Sequence, residues 1–142
     1  MSSRSVVRVV VHMVWATSGR SPTLESGFDA WFARFAKAAS EAHRCRLVAV
    51  GNACDHVHVL LLVSATASPL AKIAQALKGG SSHLWNQAHP DLPIEWQDGY
   101  WAESVDPNAT TGLTEYVRDQ RERHAAGCAP EPWSLTLFPT PV

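Results

Sequence analysis

Polar and apolar side chains alternate near the start of the chain, over residues 6–15. Arg8 and His12 lie among valines on one side of this segment, and the other side carries only apolar side chains: Val7, Val9, Val11, Met13 and Trp15. A period of two is typical of a β-strand. We therefore predict a first strand with one apolar face and one partly polar face.

Apolar residues recur at helical spacing in three later segments. They predict helices over about residues 24–43, 69–86 and 106–126. The second helix follows Ser68 and Pro69, a hydroxyl that can cap it and a proline suited to its first turn. Asp106 and Pro107 give the third helix the same kind of start. Two glycines in KGGSS, residues 78–82, weaken the second helix.

Three more segments predict strands between these helices. CRLVAVGN ends in Gly51 and Asn52, which are predicted as turn residues, and DHVHVLLLV, residues 55–63, then forms a hairpin with it. PIEWQDGYWAESV is predicted as extended around a turn at Asp98 and Gly99. The resulting βαββαβ order predicts an α+β fold, a ferredoxin-like (RRM-like) antiparallel sheet with helices against one face, followed by an added C-terminal helix.

Length and composition limit the class of protein. A chain of 142 residues with 46% hydrophobic and 18% charged residues fits one domain, which we predict over residues 1–126. Residues 127–142 are predicted as a Pro-rich tail. Its apolar residues Trp133, Leu135 and Phe138 can dock it on the domain. No apolar run reaches membrane-span length and no signal-peptide cleavage pattern is present, so we expect a cytoplasmic protein without membrane contact. The three cysteines have unrelated spacings, which excludes a disulfide framework. The net charge of −1 argues against indiscriminate nucleic-acid binding.

The strand at residues 55–63 opens with candidate metal ligands. His56 and His58 are two positions apart, so they share a strand face and can converge on one ion. Asp55 points to the opposite face and suits a supporting role rather than a direct ligand. Cys54 would share the histidine face if the strand extends that far, and a thiolate would favour zinc. The alternative is a polar strand end with no metal.

Four stretches taken in order, over about residues 8–125, give the chain a family resemblance. DHVHVLL, LKGGSSHLWN, WQDGYWAESV and TEYVRDQRERH together resemble the single-tyrosine HUH transposases of insertion sequences, and within that group the REP-associated tyrosine transposases. The distinctive combination is the His-hydrophobe-His motif with Tyr116 and Gln120, which are four residues apart and so share a helix face.

The resemblance implies a mechanism and its residues. It implies that His56, His58 and Gln120 bind Mg²⁺ or Mn²⁺ and that Tyr116 is the nucleophile. Family members cut single-stranded DNA, hold it as a covalent 5′-phosphotyrosine and release a free 3′-OH. They recognise imperfect hairpins and work as homodimers. The chemistry suits the residues, because a phenol with a pKa of about 10 needs help from a divalent ion that neutralises the scissile phosphate.

Several other residues are predicted to contact nucleic acid. Hydroxyl and cationic side chains can bind the phosphates of a DNA backbone, and such side chains occur beside the glycine pair and in the first strand and last helix. We predict this role for Arg8, His12, Lys78, Ser81, Ser82, Arg118, Arg121 and Arg123. Each also has a structural alternative, such as a solvated helix face.

For the whole protein, two rival functions are a domesticated hairpin DNA- or RNA-binding protein without cleavage activity and a small zinc hydrolase built on Cys54. Gly112 is either a hinge for Tyr116 or a weak turn.

Overall fold

A computed structural model of the chain describes residues 5–125. Its elements are β1 (Val9–Ala16), a 3₁₀ turn (Ser18–Arg20), α1 (Ser26–Ala42), β2 (Cys45–Asn52), β3 (His56–Val63), α2 (Leu70–Ala88), β4 (Trp101–Val105), a second 3₁₀ turn (Pro107–Ala109), α3 (Thr110–Arg118) and α4 (Gln120–Ala125). The four strands form one antiparallel sheet in the order β2-β3-β1-β4. The predicted ferredoxin-like βαββαβ fold is therefore confirmed. The predicted tail at 127–142, with Trp133, Leu135 and Phe138, lies outside the described residues.

One face of the sheet packs against α1 and α2 and holds the main core. The odd-numbered residues of β1 and β3 point to this side, where they meet the aromatic residues of the two helices. The fully buried members of this core include Met13, Trp15, Phe28, Phe32, Val57, Val59, Leu61 and Leu77. The rings at this interface bury large apolar areas, and that burial stabilises the fold.

The glycine pair predicted to weaken α2 does not break it, and the helix continues to Ala88. A Cβ at Gly80 would lie 2.8 Å from Cζ of Phe35 in α1, so the missing side chain lets the two helices approach closely. Ser68, predicted as the cap, does not cap the helix, because its hydroxyl lies 2.9 Å from Nδ1 of His43 instead.

The other face of the sheet is covered in part by α3, which packs on β2 and β3. Its small core contains Val10, Ala49, Leu60 and Val117. The prediction that Gly51 and Asn52 are turn residues is wrong. Both lie within β2, where Gly51 pairs with His58 of β3. A Cβ at Gly51 would lie 1.6 Å from the carbonyl oxygen of Val117. Glycine is required there because the backbone of α3 crosses the strand at that point.

The last helix is divided where the sequence predicted one continuous helix. Asp106 does cap its start, since Oδ1 accepts from the backbone N–H of Asn108 at 2.9 Å. The backbone then leaves helical geometry at Asp119 (φ −90°, ψ 17°), between α3 and α4. There the carbonyl of Tyr116 accepts a hydrogen bond from the side-chain amide of Gln120 at 2.9 Å. Within the described residues, no helix is both long and apolar enough to cross a membrane.

Candidate active site

The histidine pair lies on the face of the sheet that α3 covers, apart from the main core. His56 is the first residue of β3, and His58 follows it on the same face, with no exposed surface on either side chain. Their ring centroids are 5.1 Å apart and the ring planes are inclined by 64°. The predicted convergence of the two imidazoles is present in the fold.

Asp55 fixes the orientation of the His56 ring. Its Oδ1 lies 2.7 Å from Nδ1 of His56, and its Oδ2 accepts from Nε of Arg20 at 3.0 Å. Burial raises the pKa of Asp55, but hydrogen bonds to His56 and Arg20 outweigh it and hold that pKa below its ordinary value. An ionised carboxylate only accepts hydrogen bonds, so Nδ1 of His56 carries a proton and Nε2 faces the site.

Gln120 closes the site from the beginning of α4. Its side chain has no exposed surface. Because Nε2 donates to the carbonyl of Tyr116 at 2.9 Å, Oε1 points toward the histidines and lies 3.1 Å from Nε2 of His56. Oε1 is also 3.1 Å from Nε2 of His124. Sequence reasoning did not assign His124 to the site, although its position one helical turn after Gln120 was a usable signal.

His58 is held by the imidazole of His12 from the neighbouring strand. Its Nδ1 lies 2.8 Å from Nε2 of His12, and the two rings stack with centroids 5.1 Å apart. Burial lowers the pKa of His58 well below its ordinary value, and three neighbouring imidazoles lower it further, while a hydrogen bond with the Gln120 side chain acts in the opposite direction. At neutral pH the ring is therefore uncharged, which is the form that binds metals.

Tyr116 stands beside the pair at the C-terminal end of α3. Its half-buried ring is edge-on to His58, with centroids 5.5 Å apart and planes at 88°. The guanidinium carbon of Arg123 lies 5.0 Å from the ring centroid on its face. Tyr116 and Gln120 follow the histidine pair by about 60 positions in the chain, and the fold brings them beside it.

The donor set fits a divalent cation. In the neutral form of His56, the Nε2 lone pair faces Oε1 of Gln120 at 3.1 Å. Two facing lone pairs repel unless a cation lies against both, and two ligands at right angles, each about 2.1 Å from one Mg²⁺, are roughly 3 Å apart. Imidazole and amide ligands are uncharged, so the ion would keep its charge for a phosphate.

The alternative zinc set built on Cys54 is wrong. Among residues 5–125, no group of three or more His, Cys, Asp or Glu side chains is arranged to hold a metal ion. The thiol of Cys54 is exposed, and β3 begins only at His56. The chain is still turning there, with the backbone N–H of Ala53 donating to the carbonyl of His56 at 3.0 Å. Cys54 therefore lies in the turn and not on the histidine face.

The IS200-like transposase family model matches residues 5–120 of the chain, a stretch that contains both histidines and Tyr116 and ends at Gln120. The chain belongs to the IS200-like transposase family. The family predicted from the sequence is confirmed, and with it a DNA-processing, transposase function. No curated protein sequence matches this transposase.

Three solved structures share the fold of the transposase. A candidate transposase from Deinococcus radiodurans R1 is 22% identical, with a TM-score of 0.68, covering 85% of this chain and 97% of the other. A REP-associated tyrosine transposase bound to a REP hairpin is 12% identical, with a TM-score of 0.62, covering 91% and 76%. A bacterial tRNA(His) guanylyltransferase (Thg1)-like protein in complex with GTP is 10% identical, with a TM-score of 0.56, covering 99% and 73%. At these identities the likeness shows the fold.

The arginines predicted to contact DNA have different surroundings in the transposase. Arg121 makes two short bonds to the carboxylate of Asp29 in α1, at 2.6 and 2.7 Å, and a third to the carbonyl of Leu24 at 2.8 Å. Its guanidinium therefore fastens α4 to α1, and the neighbouring Asp29 raises the pKa of Arg121. Arg8 and Arg118 are exposed. His12 is only 6% exposed, so its ring faces the site rather than the surface.

Three more predicted contacts belong to α2, on the opposite face of the sheet. The ammonium group of Lys78 donates to the carbonyls of Gln97 and Gly99, at 2.9 and 2.7 Å. Ser81 is buried, donates to the carbonyl of Lys78 at 2.8 Å and accepts from Nε1 of Trp96 at 3.0 Å. Ser82 donates to the same carbonyl at 3.2 Å. Lys78 and Ser81 hold the segment before β4 on α2, whereas Ser82 bonds carbonyls within α2 itself. The fold does not bring these three side chains to the histidine pair.

Proposed function

We propose that this transposase nicks and rejoins single-stranded DNA through a covalent 5′-phosphotyrosine at Tyr116. In this proposal, His56, His58 and Gln120 hold Mg²⁺ or Mn²⁺. The observation that carries the proposal is that Tyr116 of α3 and Gln120 of α4 both lie beside the histidine pair. The Tyr116 ring lies against His58, and the amide oxygen of Gln120 lies 3.1 Å from Nε2 of His56.

In the proposed transfer, the chain supplies the nucleophile and groups that hold positive charge near it. The Tyr116 hydroxyl oxygen attacks the phosphorus of a phosphodiester and gives its proton to water. The bond from phosphorus to the 3′ oxygen then breaks, and that oxygen takes up a proton from water. A divalent ion at the predicted ligands would neutralise charge on the scissile phosphate and orient it for in-line attack. Arg123, on the face of the Tyr116 ring, limits ring motion and adds positive charge beside the nucleophile.

The covalent intermediate makes rejoining possible without ATP. The bond between Tyr116 and DNA is itself a phosphodiester, so a 3′-OH can attack it and release the tyrosine. Hairpin-bearing single strands are the proposed substrate class. The support is that a solved tyrosine transposase with this fold is bound to a REP hairpin. With a net charge of −1, binding would depend on local basic groups such as the exposed Arg8 and Arg118 rather than on a basic surface.

The predicted homodimer remains part of the proposal. The helices that carry Tyr116 and Gln120 pack firmly on their own domain: α3 lies against β2 at Gly51, and Arg121 of α4 bonds Asp29 of α1. These contacts support a site that each protomer completes with its own helix. A dimer would then serve to bind two DNA ends rather than to complete the chemistry.

The test is incubation of the protein and Mg²⁺ or Mn²⁺ with a labelled pool of hairpin-bearing single strands, followed by a denaturing gel. We expect a covalent protein–DNA adduct in the wild type and in Tyr100→Phe, which changes the chain's other tyrosine on the α2 side of the sheet. The adduct should be absent in Tyr116→Phe and in His56→Ala, while hairpin binding survives. Tight binding without any adduct in the wild type would instead indicate the binding protein without cleavage activity.

A further inference from the structure

His12, whose imidazole contacts His58, is a residue that the sequence predicted as a DNA contact. It lies in the middle of β1, where it pairs with Leu60 of β3 and Glu103 of β4. Since Val14 pairs with His58, His12 and His58 are diagonal neighbours on one sheet face. Side chains in that relation are roughly 7–8 Å apart at the backbone, which lets two rings meet.

The surroundings of His12 restrain its ring on several sides. It stacks on His58 with a 23° angle between the planes, and Trp101 is edge-on to it at 5.2 Å. Tyr116 approaches at 6.4 Å, also edge-on. With only 6% of its surface exposed, His12 offers little of its side chain to a phosphate. Its position makes it part of the site's support.

The contact between the two imidazoles fixes which nitrogen of His58 carries the proton. Nε2 of His12 and Nδ1 of His58 are 2.8 Å apart, so one donates and the other accepts. If His12 accepts, His58 carries its proton on Nδ1 and keeps the Nε2 lone pair for a ligand. If His12 donates, the Nε2 lone pair of neutral His58 is lost to a proton. A hydrogen-bond acceptor on the far nitrogen thus decides whether this histidine can bind a metal.

We propose that His12 is a positioning residue that accepts the Nδ1 proton of His58 and so presents the Nε2 lone pair of His58 to the metal. Its role parallels that of Asp55 at His56, with a neutral ring in place of a carboxylate. The inference rests on the proposed function in that it assigns His58 a metal. Its first consequence, the tautomer of His58, exists in the metal-free protein and is measured there.

The direct experiment is a long-range ¹H–¹⁵N correlation spectrum of metal-free protein labelled at histidine, with signals assigned by single substitutions. We expect His58 to be protonated at Nδ1 and unprotonated at Nε2. In His12→Phe, which keeps a ring but has no acceptor, the proton should move substantially to Nε2. In His12→Gln, whose Oε1 can accept at a similar position, the wild-type tautomer should return. A wild-type His58 protonated at Nε2, or a tautomer unchanged in His12→Phe, would overturn the inference.

Metal affinity gives a second readout that does not need activity. Titration with Mn²⁺ followed by electron paramagnetic resonance should show about 10–100-fold weaker binding in His12→Phe, as for other residues that orient metal ligands. His12→Gln should bind close to the wild type. His89→Phe is the matched control, because it makes the same change in a ring stacked on Trp85 at 3.6 Å, away from the site. Unchanged Mn²⁺ affinity in His12→Phe would refute the role.

The two readouts separate this inference from the proposed function. If the wild type shows the expected tautomer but binds no Mn²⁺, the metal in the proposed function is refuted and the assignment of His12 to the His58 proton stands. If the wild type binds Mn²⁺ and forms the covalent adduct while His12→Phe does both equally well, the proposed function stands and the role of His12 is refuted.

Discussion

The substitution Gly51→Ala tests whether close packing of α3 on β2 places Tyr116 beside the histidines. In β2, Gly51 pairs with His58. A Cβ at this position would lie 1.6 Å from the carbonyl oxygen of Val117, 2.6 Å from its carbonyl carbon and 3.2 Å from Cα of Arg118. These are backbone atoms, so no side-chain rotation relieves the contact. The end of α3 must move instead.

The size of that movement follows from the distances. Restoring an ordinary contact of about 3.4 Å from 1.6 Å requires α3 to shift by about 1.8 Å. Tyr116, the proposed nucleophile, precedes Val117 directly and therefore shifts with it. A misplacement of about 1 Å can reduce a rate about 100-fold, whereas overpacking of this kind costs about 1–3 kcal/mol of folding free energy. We expect the protein to fold but to form adduct at least about 100-fold more slowly.

The assay is the initial rate of adduct formation, with the melting temperature measured in parallel. Gly112→Ala is the matched control, because it makes the same change in α3 where no atom lies within 4 Å of the new Cβ. It should keep the wild-type rate and gain about 0.5–1 kcal/mol of stability. A much slower Gly112→Ala would support the hinge hypothesis. A wild-type rate and melting temperature in Gly51→Ala would mean that α3 does not approach β2 this closely.

Three further changes test separate parts of the site. Arg121→Ala removes the bonds to Asp29, so it should cost about 1 kcal/mol of stability and weaken Mn²⁺ binding. The control Arg118→Ala changes an exposed arginine and should alter neither stability nor Mn²⁺ binding. Equal behaviour of the two variants would contradict the anchoring role of Arg121. Lys78→Met removes two bonds to backbone carbonyls and should cost about 1.5–3 kcal/mol in chemical unfolding, without changing the salt dependence of DNA affinity. A salt slope smaller by about one would establish Lys78 as a phosphate contact instead. Chelation with EDTA should abolish adduct formation and added Mn²⁺ should restore it, and adduct formed in excess EDTA would contradict the metal requirement.

The fold was largely readable from the sequence because burial imposes a period on each element. The alternation over residues 6–15 and the helical stripes on either side of the hairpin are direct consequences of which face packs on the core. The convergence of His56 and His58 was readable for the same reason, since residues two apart on a strand share a face. Local patterns were sufficient wherever the partners are close in sequence.

Features that depend on strand register and helix approach were not readable. Pairing His12 with His58 requires knowing how β1 aligns with β3, and the partner of Arg121 is Asp29, 92 residues away. Gly51 has the composition of a turn, yet its function is to accommodate the α3 backbone. These contacts form only when distant segments pack, so the sequence assigned His12 and Arg121 to DNA on charge and face alone.

The proposed phosphotyrosine is tested most directly by locating the covalent bond to DNA. The adduct is trimmed with nuclease, digested with trypsin and analysed by mass spectrometry. Cleavage after Lys78 and Arg118 yields a peptide, residues 79–118, that carries both tyrosines of the chain, Tyr100 and Tyr116. We expect a nucleotide attached through its 5′ phosphate to Tyr116, identified by fragmentation. Attachment at Tyr100 or at any other residue would contradict this expectation.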